Sequence, residues 1–288
     1  MDSVSGGRWD AAVRLIGMSS AADSDAAACP AGPEEAAAAS GEAWSPVAEE
    51  WAARWGRVAD PAREEIVRRA GIGAGSRVLD AGCGSGELAA QLEAAGAAVS
   101  AVDAAPGMVA LARRTAPAAD VQLAAIDRLP FSDGVFDAVI AVNALQFADD
   151  MAAALVELGR VTAPGGVVAV ANWAERARND LDTLETAVAL DDGDDPDDLV
   201  DLDYRLPGGL EALFAEAGIA VEWSSTVDVP WSAASDDDLA RGVLLGEDDD
   251  TIAARTPILV AAARPFATPE GGYLLRNAFH VVLGRVPR

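Results

Sequence analysis

The chain has 288 residues, 51% of them hydrophobic, which is enough for one sizeable core, and no apolar run is clean enough to span a bilayer. Asp and Glu number 47 against 21 basic residues, all Arg, and the net charge of -26 repels a nucleic-acid backbone. The absence of Lys excludes a pyridoxal phosphate Schiff base and a phosphate-loop lysine, the single His280 excludes multi-histidine metal sites, and two cysteines, Cys29 and Cys83, are too few for a disulfide framework and fit a cytoplasmic protein.

The first residues carry a short helix candidate, Trp9 to Ile16, but no basic segment followed by an apolar core, so they do not read as a signal peptide. Residues 19–43 are Ala, Ser, Gly, Pro and Glu without apolar rhythm; together, 1–43 reads as an N-terminal extension and linker, and 44–288 as the main domain. Trp44, Val47, Trp51, Trp55 and Val58 recur at three- to four-residue steps and predict a helix with one apolar stripe, either packing or a lid. A second helix starts at the Asp60-Pro61 step and runs through Arg69.

From Ser76 the pattern alternates. Strands are expected at Arg77 to Ala81, Ala98 to Asp103, Val121 to Ile126, Phe136 to Leu145 and Val167 to Trp173. Helices fall between them at Glu87 to Ala95, Gly107 to Thr115 and Met151 to Arg160. This is the signature of βαβ units in a mostly parallel, doubly wound α/β sheet buried on both faces. Beyond it come a helix at Leu206 to Ala217, a strand at Ile219 to Pro230, helices at Asp236 to Leu245 and Thr251 to Phe266 (the latter with Pro257 in it or bending it), and a last strand at Phe279 to Gly284. Segments of about 174–205 and 231–272 lie outside the regular sheet, placed to cap the crevice beyond the strand ends. The acidic run Asp191 to Asp203 fails the calcium-loop spacing and reads as a solvated insertion, so no metal is expected.

The sharpest motif is LDAGCGSGELA, Leu79 to Ala89, between a strand and a helix. Gly82, Gly84 and Gly86 allow a tight turn and bare backbone against a ligand. Asp103 ends the second strand 23 residues after Asp80, where a carboxylate suits the two hydroxyls of an adenosine ribose, and Asp127 ends the third. The spacing departs from GxGxxG and suits a phosphate-free ligand: Asp80 would engage an amino end, and the loop amides would take a carboxylate.

These residues together resemble the class I S-adenosylmethionine-dependent methyltransferases, most of all the small-molecule branch that includes the ubiquinone and menaquinone biosynthesis methyltransferases. The resemblance covers about Trp44 to Trp173 well and the rest loosely. It rests on Val78, Leu79, Asp80, Gly82, Gly84 and Gly86; on Asp103; on Pro106, Gly107 and Met108; on Asp127 with Leu129-Pro130-Phe131; on Phe136-Asp137 with Asn143 to Gln146; and on Pro164-Gly165-Gly166. It implies a Rossmann-like seven-stranded sheet whose antiparallel last strand, Phe279 to Gly284, slots between the fifth and sixth. It also implies S-adenosylmethionine as cofactor, held by these loop and acid residues with Cys83, Ala104, Met108, Ile126, Arg128 and Asn143, and a small-molecule methyl acceptor. A sulfonium methyl needs an aligned acceptor and excluded water, and a base only where the acceptor must lose a proton. Gln146 and Trp173, just past strands four and five, are the candidates to face the acceptor. His280 is a candidate base beside its reading as a structural residue, with Tyr204 and the insertion acids as alternatives. Cys83 fills space in the loop. A non-methylating cyclase or scaffold and a nicotinamide-dependent oxidoreductase remain as rival functions. A monomer or homodimer with no membrane partner completes the expectation.

Overall fold

Five short apolar segments separated by helices leave a chain little choice but to pair its strands in parallel and pack the helices on both faces. The structure, a computed structural model, describes residue 41, residues 44–195 and residues 201–288. The Trp9 to Ile16 helix, Cys29, most of the 1–43 extension and part of the acidic run fall outside the described residues.

Two helices, α1 (Ala48–Arg54) and α2 (Asp60–Ala70), precede the sheet. Then come β1 (Arg77–Ala81), α3 (Glu87–Ala94), β2 (Ala98–Asp103), α4 (Pro106–Thr115), β3 (Asp120–Leu123), β4 (Phe136–Val142), α5 (Met151–Val161) and β5 (Thr162–Trp173). After β5 follow α6 (Asp180–Asp192), α7 (Gly209–Glu216), β6 (Ala220–Asp228), β7 (Trp231–Ala233), α8 (Asp236–Val243), α9 (Asp249–Ala263), β8 (Tyr273–Leu275) and β9 (Ala278–Arg285). The main sheet has seven strands in the order β3-β2-β1-β4-β5-β9-β6. Strands β1 to β5 pair in parallel, and β9 runs antiparallel to both β5 and β6. The last strand therefore slots between the fifth and sixth, as the resemblance implied.

Side chains alternate across the sheet as a strand requires. Val78, Ala138, Ile140 and Val281 join one core cluster with α2, α3 and the later helices. Leu79, Val139, Val168 and Val282 join a second with α5 and α7. Strand β5 begins earlier than expected: Pro164-Gly165-Gly166 sits inside it, and pairing with β4 slips between Phe136 and Ala138. A bulge accommodates the turn residues without ending the strand.

The two segments outside the regular sheet form one layer. Helices α6, α8 and α9 share the first core through Leu181, Leu184, Val188, Leu239, Ile252 and Leu259, and β7 pairs with β8 as a separate ribbon. Pro257 lies in the interior of α9, which runs unbroken through it. Helix α6 is a difference from the sequence expectation, which read this region as an insertion without assigning a helix. Its cause is a buried ion pair: Arg205 donates to both carboxylate oxygens of Asp182, at 3.0 and 2.6 Å, and to the Ala174 carbonyl at 3.0 Å. Charged residues on the buried face of α6 hide its apolar period.

Candidate active site

The glycine loop leaves β1 and enters α3. Its backbone is fixed by the neighbouring strand: the Gly82 and Cys83 amides donate to the Val102 carbonyl at 2.8 and 2.9 Å. The Asp103 carboxylate, at the end of β2, accepts from the Gly84 amide and the Ala105 amide, each at 2.9 Å. Loop and strand-end acid therefore form one rigid unit. A carboxylate offers about four acceptor sites, so two amide bonds leave Asp103 capacity for two hydroxyls. Burial raises its proton affinity above the usual carboxylate range, opposed by the Ala105 and Gly84 amides.

The glycines divide in purpose. A side chain at Gly82 would collide with the Ala144 methyl, so this position serves the approach of the loop to the exit of β4. Gly84 has φ of 53°, in the left-handed region, and an added Cβ would lie 3.4 Å from the Trp51 ring. Gly84 is thus the position where bare backbone faces the interior of the crevice.

Asp80 is 2% exposed, and its Oδ2 has no hydrogen-bond partner. Burial pushes its pKa up to about 7, with the Arg63 charge opposing the rise and Asp103 and Glu87 adding to it. An orphaned acceptor beside the loop is what an incoming ammonium would satisfy. Cys83 is buried and free, and burial pushes its thiol well above the ordinary range, which suits a space-filling role rather than a nucleophile.

Beside the loop opens a small crevice walled by Trp51, Trp55, Val58, Trp173 and Phe279, with Arg63 and Asn143 as its polar lining. The walls are braced by ring contacts. Trp173 meets Phe279 edge-on at 4.7 Å between centroids, and Trp55 stacks on Trp231 at 4.5 Å. Trp55 Nε1 donates to the Gly242 carbonyl and Trp231 Nε1 to the Arg54 carbonyl, which ties α1 to β7 and α8. Trp44 meets Phe147 edge-on at 5.3 Å, beyond β4.

Of the expected acceptor-facing residues, Trp173 lines the crevice. Gln146 stands one step back and donates to Asn143 Oδ1 at 2.6 Å. Asn143 lines the crevice with φ of 53°, unusual for a residue with a side chain. The His280 expectation is corrected. His280 pairs in register with Asn172, while Trp173 and Phe279 pair on the opposite face. Its Nε2 lies 3.0 Å from Glu211 Oε1 on α7, turned away from the crevice. Tyr204 belongs to the core on that same far face, and burial pushes its pKa up to about 12. Met108 is buried with Ala105 and Leu111 at the start of α4. Ala104, Ile126 and Arg128 are half-buried and Asp127 is exposed, on the loops that follow β2 and β3. Arg63 and Phe279 were not anticipated as lining. Phe279 could have been found from its place at the start of the strand paired with β5. Arg63 is one of three arginines in a charged helix, distinguished only by sharing the face of Ala62 and Ile66. Among the described residues no cluster of acids, His and Cys could hold a metal ion.

The strand order, the glycine turn and the strand-end acid define a Rossmann-like sheet of the S-adenosylmethionine-dependent methyltransferase type. Residues 79–170 match a family model described as a methyltransferase domain. The chain is 37% identical over 107 residues to a malonyl-[acyl-carrier protein] O-methyltransferase of Serratia marcescens, covering 37% of this chain and 42% of that protein. It is 41% identical over 114 residues to an uncharacterized protein of Mycobacterium bovis, covering 38% of this chain and 41% of the relative. The chain thus spans about two fifths of the length of these curated relatives. Among solved structures, the [4+2]-cyclase SpnF superposes with a TM-score of 0.54 at 20% identity, over 81% of this chain and 83% of that one. The YcgJ protein of Bacillus subtilis superposes with a TM-score of 0.55 at 18% identity, over 79% and 98%. These two likenesses establish the fold. Trp173, Phe279 and the layer of α6, α8 and α9 lie outside the matched 79–170 segment.

Proposed function

We propose that this protein transfers a methyl group from S-adenosylmethionine to a small, largely apolar acceptor seated in the aromatic crevice. The observation that carries this reading is the unit of Gly84 and Asp103, joined at 2.9 Å, set against the unpartnered Asp80 Oδ2. Asp103 would hold the ribose hydroxyls, Asp80 the amino end, and Ile126, Asp127, Arg128 and Met108 would surround the adenine. S-adenosylmethionine supplies a methyl group already activated on a sulfonium. The chain's own part is then binding, alignment and exclusion of water.

The aromatic walls perform two of those tasks. Trp51, Trp55, Trp173 and Phe279 keep water from the methyl group, and their ring faces favour the positively charged sulfonium over the neutral thioether left after transfer. Asn143, held by Gln146, offers an amide to orient the acceptor. Among the residues lining the crevice there is no His, Asp or Glu, so the reading favours acceptors that need no dedicated base. Aromatic walls favour a flat acceptor, of the kind that the resemblance to the ubiquinone and menaquinone branch suggests. The layer around α6 and the 231–272 segment acts as the cap of the crevice. The net charge of -26 argues against a nucleic-acid acceptor. Among the described residues no helix is long and apolar enough to cross a membrane. We place the protein in the cytoplasm as a monomer or homodimer.

The test uses trideuteromethyl-labelled S-adenosylmethionine, the full chain and a panel of apolar small molecules read by mass spectrometry. A labelled product with one equivalent of S-adenosylhomocysteine supports methyl transfer. Conversion of a panel member without S-adenosylhomocysteine would replace the reading with a non-methylating one.

A further inference from the structure

Four amides of the glycine loop are already engaged within the protein. Gly82 and Cys83 donate to Val102, Gly84 donates to Asp103, and Gly86 donates to the Cys83 carbonyl at 3.0 Å. A carboxylate arriving at the loop would therefore find these four donors engaged. Among the residues that line the crevice, one carries a charge, and it is Arg63.

Arg63 is 5% exposed. Its Nη1 donates to the Gly56 carbonyl at 2.6 Å and to Asp60 Oδ1 at 3.0 Å, which fixes the guanidinium from one side. Its Nε is buried without a partner, and among the described residues its hydrogen bonds all leave from Nη1. A buried guanidinium with idle donors is costly unless something occupies them. The Arg63 charge also acts directly on Asp80, whose Oδ2 is likewise without a partner. The same end of the crevice thus holds an unsatisfied fork of donors and an unsatisfied acceptor. A zwitterionic α-amino acid presents the complement of both.

We propose that Arg63 binds the α-carboxylate of the cofactor's amino acid end, while Asp80 receives its ammonium group. This rests on the S-adenosylmethionine reading above and replaces the loop amides as the carboxylate site. The planar fork of Arg matches a carboxylate in a way that a Lys ammonium does not. Helix α2 thereby becomes part of the cofactor site, although it precedes β1 and lies outside the matched segment.

Calorimetric titration of the full chain with two ligands tests it. S-adenosylhomocysteine carries the amino acid end; 5′-methylthioadenosine has the same adenosine and sulfur without it. Arg63→Met should weaken S-adenosylhomocysteine about 10- to 100-fold, the loss of a charge-assisted pair, and leave methylthioadenosine within about twofold, the ordinary scatter of a remote change. Arg63→Lys should recover part of the loss. Equal weakening of both ligands, or of neither, overturns the proposal. Should Arg63→Met fail to fold, Arg63→Lys decides: it should weaken S-adenosylhomocysteine more than methylthioadenosine, and equal effects on both overturn the assignment. A protein that binds neither ligand refutes the cofactor reading itself. One that binds both, with Arg63→Met unchanged, refutes only the role of Arg63.

Discussion

Replacing Asp103 by Ala separates cofactor binding from folding. The carboxylate makes two bonds to the protein, to the Gly84 and Ala105 amides at 2.9 Å. Its remaining lone pairs are those assigned to the ribose. Each hydrogen bond to a charged group is worth about 1.5–3 kcal/mol, but the freed hydroxyls regain water. A net loss of about 1.5–3 kcal/mol for the pair is the working figure, or about 10- to 150-fold in affinity. Losing the two amide bonds also loosens the loop, so a thermal melt must accompany the titration. Calorimetry with S-adenosylhomocysteine should show the weakened affinity in a protein that still unfolds cooperatively. A folded Asp103→Ala protein with unchanged affinity would refute the ribose assignment and with it the placement of the adenosine along β2.

Gly84→Val should abolish cofactor binding while the sheet persists, because the added side chain meets Trp51 and sits at φ of 53°; retained binding in a calorimetric titration counts against the loop placement. Asp182→Asn should destabilise the fold by about 3–5 kcal/mol, since Arg205 is left charged in the core, and urea unfolding measures it. Asp80 has a folded pKa of about 7 against an ordinary value of 3.8, so the folded state holds its proton more tightly than the unfolded chain. The Asp80 contribution is therefore fully present below pH 3.8 and is lost as pH rises through about 7. Asp80→Asn should melt progressively higher than wild type across that window, with a constant difference above it; a difference independent of pH contradicts the assignment. Trp173→Ala should impair methyl transfer far more than cofactor affinity, as initial rates and titration compared side by side will show, because Trp173 walls the acceptor end of the crevice.

Much of the parallel half of the fold was legible in the chain. The boundaries of β1 and β2 follow from the short apolar runs Arg77 to Ala81 and Ala98 to Asp103, which stop where the glycine turn and the approach to the next helix begin. Strand β9 was placed correctly through family resemblance, since nothing in Phe279 to Gly284 states which neighbours it pairs with. Helix α6 was illegible for a physical reason: Asp182 and Glu185 are buried on it, and an apolar-period reading treats buried acids as surface. The orientation of His280 was undecidable for another: one step along a strand reverses the face, and only the pairing of Asn172 with His280 fixes it. Arg63 stayed hidden because burial, not identity, distinguishes it from its neighbours Arg68 and Arg69.

The central claim is that the pocket beside Gly84 and Asp103 is built for an adenosine joined to an amino acid through sulfur. Titrating the full chain with S-adenosylhomocysteine and, separately, with a nicotinamide dinucleotide tests it most directly. The account predicts saturable binding of one S-adenosylhomocysteine per chain and none of the dinucleotide. Binding of the dinucleotide, or no binding of S-adenosylhomocysteine, would contradict it.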